Sequence, residues 1–284
     1  MKTEIERMLE KFNLTSEEDY KNALKEIMQE IALLGLWRSK FFEHAAFYGG
    51  TALRICHGLD RFSEDMDFTL LSPNPDFNIS SYESNLEREL ESFGFEVTVE
   101  KKEKSTVTKI ESTFLKANTM THLLKIKAPF KTHRDEKIKI KLEIDTDPAP
   151  GFRTESVFHF EPIPYSIRLY DLPSLFSGKM HALLFRRRNH NIKGRDWYDF
   201  VWYVSKSVPL NLGYLKNKMV QTEDWPIDQP ITEQDVKAIL EKRIEGLDIE
   251  SAKKDVAIFL KGPSRLDIWS KDFFIAASRR LKME

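Results

Sequence analysis

Two aspartates one residue apart, Asp65 and Asp67, lie where Met66, Phe68 and Leu70 alternate with Asp65, Asp67 and Thr69. Alternation with a period of two marks a strand with one apolar and one polar face, so both carboxylates project from the same side. Hard anionic oxygens held together on a rigid strand suit Mg²⁺ shared with substrate phosphates, since that ion keeps waters and needs few protein carboxylates. The segment from Lys137 to Thr146 offers a third acid. There Ile138, Ile140, Leu142 and Ile144 alternate with Lys139, Lys141, Glu143 and Asp145. Glu143 sits between apolar neighbours as Asp67 does, while Asp145 shares its face and stays a rival. In two-metal phosphoryl transfer such an acid helps hold the metal that activates the attacking hydroxyl, or takes its proton.

Upstream, a short apolar run from Ala45 to Tyr48 reads as a strand, Gly49-Gly50 as its turn, and Thr51 to Cys56 as a helix. Glycines without side chains let backbone N–H groups approach phosphate oxygens, and a helix N-terminus adds a favourable dipole. Asp65 follows Gly50 by fifteen positions, room for one helix and a return to an adjacent strand. Arg54, one turn beyond Gly50, can reach a phosphate or pair with Glu64 or Asp67.

Further along, Lys179, Ala182 and Arg186 share a helical face, and six Lys or Arg but no acid occur from Lys179 to Arg195. Lys179 as a point charge suits a triphosphate. Arg186 suits another phosphate or a nucleic-acid backbone, or simply a helix C-terminus. Arg195-Asp196-Trp197-Tyr198-Asp199 then opens the next helix. Asp199, three residues after Asp196, is placed to orient Lys179 or Arg195 or to pair with Arg186.

The elements that must position these groups read as follows. Thr15-Ser-Glu-Glu18 resembles a capping box leading into a long helix with Tyr20, Leu24, Ile27, Met28, Ile31 and Leu34 at helical spacing. A helix is predicted over Ser80 to Phe93, then strands over Phe95 to Val99, Lys109 to Leu115, His122 to Ala128 and Lys137 to Thr146. Beyond Thr146 strands become scarce, and after Pro162 and Pro164 helical patterning covers Pro173 to Arg188, Asp196 to Val204, Glu233 to Ile244, Ser251 to Leu260 and Leu266 to Leu281. Prolines 148, 150, 162, 164 and 173 mark a linker or a crossing strand, which divides the chain into domains of residues 1–160 and 161–284.

The 284 residues carry 44 Lys+Arg against 45 Asp+Glu, a net charge of -1, which excludes a polybasic binder and confines any nucleic-acid contact to a local patch. The single cysteine, Cys56, excludes a disulfide framework and a Cys-rich zinc site. A charged start and the lack of an apolar run near the roughly 18 residues that span a bilayer predict a cytoplasmic protein without membrane contact. His57, His181 and His190 show no metal-ligand spacing, and no Walker motif or nucleophile elbow is present.

Four segments together, Gly49-Gly-Thr-Ala-Leu-Arg54, Arg61-Phe-Ser-Glu-Asp-Met-Asp67, Lys141-Leu-Glu-Ile-Asp145 and the block from Lys179 to Asp199, resemble the nucleotidyltransferase-fold toxins of the AbiEii/AbiGii type, which include the MenT toxins. The resemblance covers roughly residues 40 to 205. It implies an α+β fold, a polymerase-β-like mixed-sheet domain followed by a mainly helical one. It also implies transfer of a nucleoside monophosphate from a nucleoside triphosphate to an acceptor hydroxyl, dependent on Mg²⁺ or Mn²⁺. The enzyme would be the toxin of a toxin–antitoxin or phage-defence system, with a cognate antitoxin and with tRNA, an acceptor used by relatives. The resemblance carries Lys179 and Asp196 over as catalytic residues, beside Asp65, Asp67 and Glu143 as catalytic metal ligands, with Asp145 still the rival of Glu143, and Gly49, Gly50, Thr51, Arg54 and Arg186 as nucleotide-binding residues. Transfer to an antibiotic, another small molecule or a protein is the alternative, as is a non-catalytic nucleotide-binding regulator.

Overall fold

The computed structural model describes residues 3–101, 119–127, 138–186 and 193–284. The strand expected over Lys109 to Leu115 lies outside them, as do Arg187, Arg188 and His190 of the basic run.

One compact unit comprises Met1–Gly58, Phe62–Pro148 and Glu155–Leu169. Its elements in chain order are α1 (Glu4–Leu9), α2 (Glu17–Arg38), β1 (Ala45–Tyr48), α3 (Gly49–His57), β2 (Asp65–Leu70), α4 (Ser80–Ser92), β3 (Glu96–Lys101), β4 (Thr119–Lys127), β5 (Ile138–Asp145), β6 (Thr154–His159) and β7 (Tyr165–Tyr170). Helix α2 starts one residue later than its capping box suggested. Ser16 accepts the Asp19 N–H at 3.0 Å, while the Thr15 N–H and hydroxyl turn to the Asp19 carboxylate at 3.1 and 2.6 Å. Its periodic residues Leu24, Ile27, Met28, Ile31 and Leu34 are all fully buried, as their spacing required.

The strands form a seven-stranded sheet in the order β3-β4-β5-β2-β1-β7-β6. Pairing is antiparallel for β3–β4, β4–β5 and β1–β2 but parallel for β2–β5 and β1–β7, so the sheet is mixed, as expected. Strands β6 and β7 correct the expectation that strands become scarce late in this region. In β7 the alternation is clear, with Tyr165, Ile167 and Leu169 buried, whereas β6 is a largely exposed edge with no apolar period to betray it. Beneath β2, Phe68 stacks on Phe47 at 5.0 Å and meets the edge of Phe41 at 5.2 Å. Each buried ring contributes roughly 1.5–3 kcal/mol, and together they hold fixed the strand that carries the two aspartates.

The other unit comprises Leu59–Arg61, Ala149–Thr154 and Tyr170–Glu284. It is mainly helical: α5 (Leu172–Phe185), α6 (Gly194–Ser205), α7 (Leu212–Gln221), α8 (Glu233–Glu245), α9 (Ile249–Ala257) and α10 (Lys271–Ser278), with short β8 (Pro209–Leu210) pairing parallel with β9 (Lys282–Met283). Side chains cap the starts of α5 (Asp171), α7 (Asn211), α8 (Thr232), α9 (Asp248) and α10 (Ser270). Helix α7 was not anticipated, and α5 stops at Phe185 rather than Arg188. A Cβ on Gly194 would lie 1.8 Å from the Ala252 carbonyl oxygen, so α6 approaches α9 more closely than any side chain there permits. No helix among the described residues is long and apolar enough to cross a membrane.

Candidate active site

Strand register decides which acids become neighbours. The parallel pairing of β2 with β5 sets Asp65 beside Lys141, Asp67 beside Glu143, and Thr69 beside Asp145. Adjacent strands run about 4.8 Å apart, so Asp67 and Glu143 are side-by-side carboxylates on one face. Asp65 is exposed and Asp67 and Glu143 are half-buried. Asp145, the rival third acid, sits beside fully buried Thr69 and its Oδ1 accepts the Asp147 N–H at 3.1 Å, closing the turn after β5. Lys141, which the sequence reading left without a role, forms an ion pair with Glu143.

The double glycine opens α3 rather than forming a separate turn, since the helix begins at Gly49 itself. Gly49 holds φ +85°, and a Cβ there would lie 2.2 Å from Asp67 Oδ2. The missing side chain therefore makes room for a carboxylate of this protein, whatever its N–H does for a ligand. Gly50 is buried in the first turn of α3. Thr51 is fully buried, and its hydroxyl donates to the Asp65 carbonyl, so that side chain positions β2 and any part Thr51 plays toward a nucleotide falls to its backbone. Gln29 of α2 extends the same support, its Nε2 donating to the carbonyls of Ser63 and Glu64 at 3.1 and 3.0 Å. Arg54 donates through Nε to Glu26 at 3.0 Å, and its guanidinium lies 4.9 Å over the Phe62 ring.

Among the described residues no three acids, histidines or cysteines gather as a closed metal cage would require. An open Mg²⁺ site asks for less, one or two carboxylates completed by waters and phosphates. Asp67 and Glu143, neighbours in register, with Asp65 two residues along β2, offer carboxylates of that kind.

A second cluster forms within the helical unit. Lys179 of α5 places Nζ 2.9 Å from Asp199 Oδ2 and 3.8 Å from Asp196 Oδ1, both acids on α6. Arg186 Nη1 lies 3.2 Å from Asp196 Oδ2. Asp199 thus pairs with Lys179, while the Arg195 backbone N–H donates to Asp255 at 3.3 Å and the Arg195 guanidinium lies 4.2 Å over Phe259. Behind Asp199 is Arg61, whose Nε and Nη2 donate to Oδ1 and Oδ2, both at 2.7 Å. Arg61 is 2% exposed and Asp199 0%. Burial alone would raise the Asp199 carboxyl, but the Arg61 guanidinium, followed by Lys179, overcomes this and holds it below the ordinary carboxylate range. Arg61 carried no role in the sequence reading. The only signal was its place in the Arg-x-Ser-x-Asp-x-Asp segment, because a buried arginine leaves no periodic trace.

A mixed sheet with carboxylates on two neighbouring strands and a glycine-led helix against them defines the nucleotidyltransferase fold. Solved structures share it: a putative nucleotidyltransferase from Helicobacter pylori (17% identity, TM-score 0.51, covering 93% of this chain and 92% of the other) and JHP933 from the same organism (15%, 0.51, 93% and 89%). MenT4, a nucleotidyltransferase toxin from Mycobacterium tuberculosis, aligns at 15% identity with a TM-score of 0.49 over 98% of this chain and 94% of its own. No curated protein sequence gives a significant match. The family model of the AbiEii nucleotidyl transferase toxin of type IV toxin–antitoxin systems matches residues 31–274, and the chain belongs to this family. It is a nucleotidyltransferase, an enzyme class that uses a nucleoside triphosphate and generally a divalent metal.

Proposed function

We propose that this enzyme transfers a nucleoside monophosphate to a hydroxyl of an RNA acceptor, tRNA foremost, and acts in the cytoplasm as the toxin of a toxin–antitoxin or phage-defence pair. The observation that carries the reading is the register that makes Asp67 and Glu143 adjacent carboxylates. Asp65, Asp67 and Glu143 are the residues to hold Mg²⁺ or Mn²⁺, which when bound supplies Lewis-acid polarisation of the α-phosphate and lowers the pKa of an attacking hydroxyl. Glu143, rather than Asp145, accepts the hydroxyl proton, since Glu143 is the acid that register sets beside Asp67. Lys179 and Arg186 bind the triphosphate and neutralise the charge that builds as pyrophosphate leaves, with Asp196 holding both cations in place. Backbone N–H groups at the Gly49-Gly50 start of α3 offer further donors to phosphate oxygens. The basic run from Arg186 to Arg195, free of acids until Asp196, supports a nucleic-acid acceptor over a cationic small molecule.

The test is incubation of purified protein with Mg²⁺, each α-³²P nucleoside triphosphate in turn, and total tRNA, beside the Asp67→Ala variant. Label entering RNA with the intact protein alone is the expected result. Label on the protein, or none in any macromolecule, would overturn the RNA acceptor in favour of a polypeptide or a small molecule.

A further inference from the structure

Lys179 has two carboxylate neighbours, an arrangement that by charge alone would cancel a cation meant for a triphosphate. The acids are themselves answered. Arg61 grips Asp199 through both oxygens, and Arg186 pairs with Asp196. Among these five side chains three cations face two carboxylates, so the acids do not outnumber the positive charges. Asp199 Oδ2 is shared, 2.7 Å from Arg61 Nη2 and 2.9 Å from Lys179 Nζ. A planar guanidinium fork fixes the carboxylate plane, so the direction in which Oδ2 meets Lys179 is set by Arg61. At 2% exposure Arg61 cannot reach a ligand, whereas Lys179 keeps 19% of its side chain accessible.

We propose that Arg61 and Asp199 are positioning residues that orient Lys179 without neutralising it, Asp199 supplying the direction and Arg61 offsetting the charge. The proposal rests on Lys179 as a triphosphate ligand. It makes the two partners differ in sign. Loss of Asp199 misplaces Lys179 but leaves its charge, while loss of Arg61 leaves Asp199 to cancel it. A pair that served folding alone would affect stability and show no such opposition.

The test measures binding of inorganic triphosphate by full-length protein in magnesium-free buffer, together with kcat and KM for nucleotide transfer, on variants whose folding is checked by circular dichroism. Asp199→Asn is expected to lower kcat about 10²-fold with triphosphate affinity undiminished. Arg61→Met is expected to weaken triphosphate binding about tenfold, and Arg61→Met combined with Asp199→Asn to restore it to within about threefold of wild type, with kcat still low, because the pair is then removed without leaving a buried charge. Weak binding in the folded double variant, or an unchanged kcat in Asp199→Asn, overturns the proposal. If Arg61→Met alone does not fold, the Asp199→Asn and double variants decide it on the same criteria. Lys179→Met separates the two levels, for undiminished triphosphate binding in that variant sinks the reading of Lys179 itself.

Discussion

The carboxylate of Asp67 occupies the space that any side chain on Gly49 would need, Oδ2 lying 2.2 Å from where a Cβ would be, and Gly49 holds a left-handed φ of +85°. Gly49→Ala must therefore strain the start of α3 and displace Asp67 at once. The expected outcome is a destabilisation of about 1–3 kcal/mol with at least a ~10²-fold loss of transfer. Thermal denaturation beside a radiolabel transfer assay checks it, and a fully active Gly49→Ala enzyme would mean that Asp67 has no need of its present position.

Glu143 and Asp145 share a face of β5, but only Glu143 is paired in register with Asp67. Glu143→Gln is expected to lower turnover by about 10²–10⁴-fold with stability changed by no more than about 0.5 kcal/mol. Asp145→Asn keeps an oxygen to accept the Asp147 N–H and is expected to stay active. Parallel kcat measurements on the two variants decide the assignment, and the reverse ranking would transfer the role to Asp145.

The buried Arg61–Asp199 pair links acidity to stability. The folded-state pKa of Asp199 is depressed, so its stabilising contribution is fully present above the ordinary carboxylate value of about 3.9 and is lost as pH falls below that through the folded value. Wild type is thus expected to lose more stability than Asp199→Asn as pH falls below about 4, while at pH 7 the variant is weaker by about 3 kcal/mol because Arg61 is left poorly compensated. Urea midpoints of both proteins as the pH is lowered measure the difference.

Burial, reinforced by Glu30 and Glu155, pushes the Cys56 thiol up to about 12. Since the thiolate is the reacting species, native Cys56 at pH 8 is expected to react with a disulfide reagent about 10²–10³-fold more slowly than in urea. Stopped-flow absorbance gives both rates. Equal rates would place the thiol in water.

Gly194 meets the Ala252 carbonyl where α6 crosses α9. Gly194→Ala forces the helices apart and is expected to cost about 1–3 kcal/mol, read as a drop in the urea midpoint at unchanged slope.

Local chemistry made much of the protein legible from residues alone. The alternation of β2 and β5 revealed their polar faces, helical spacing found the buried stripe of α2, and the glycine and acidic segments pointed to nucleotide phosphates, while the resemblance those segments carry implied nucleotidyl transfer. Such signals are carried by neighbours in the chain, and a periodicity survives whatever it packs against. Tertiary structure alone decided the rest. Register, which depends on how two distant strands meet, chose Glu143 as the neighbour of Asp67. The insertion of β7 beside β1 required a parallel partner more than a hundred residues away, at Phe47↔Leu169. Gly49 leaves room for the carboxylate packed against it, a contact invisible in a Gly-Gly pair. Arg61 and Asp199, 138 residues apart, acquired a role only when folding stripped both of water and left each as the other's counter-charge.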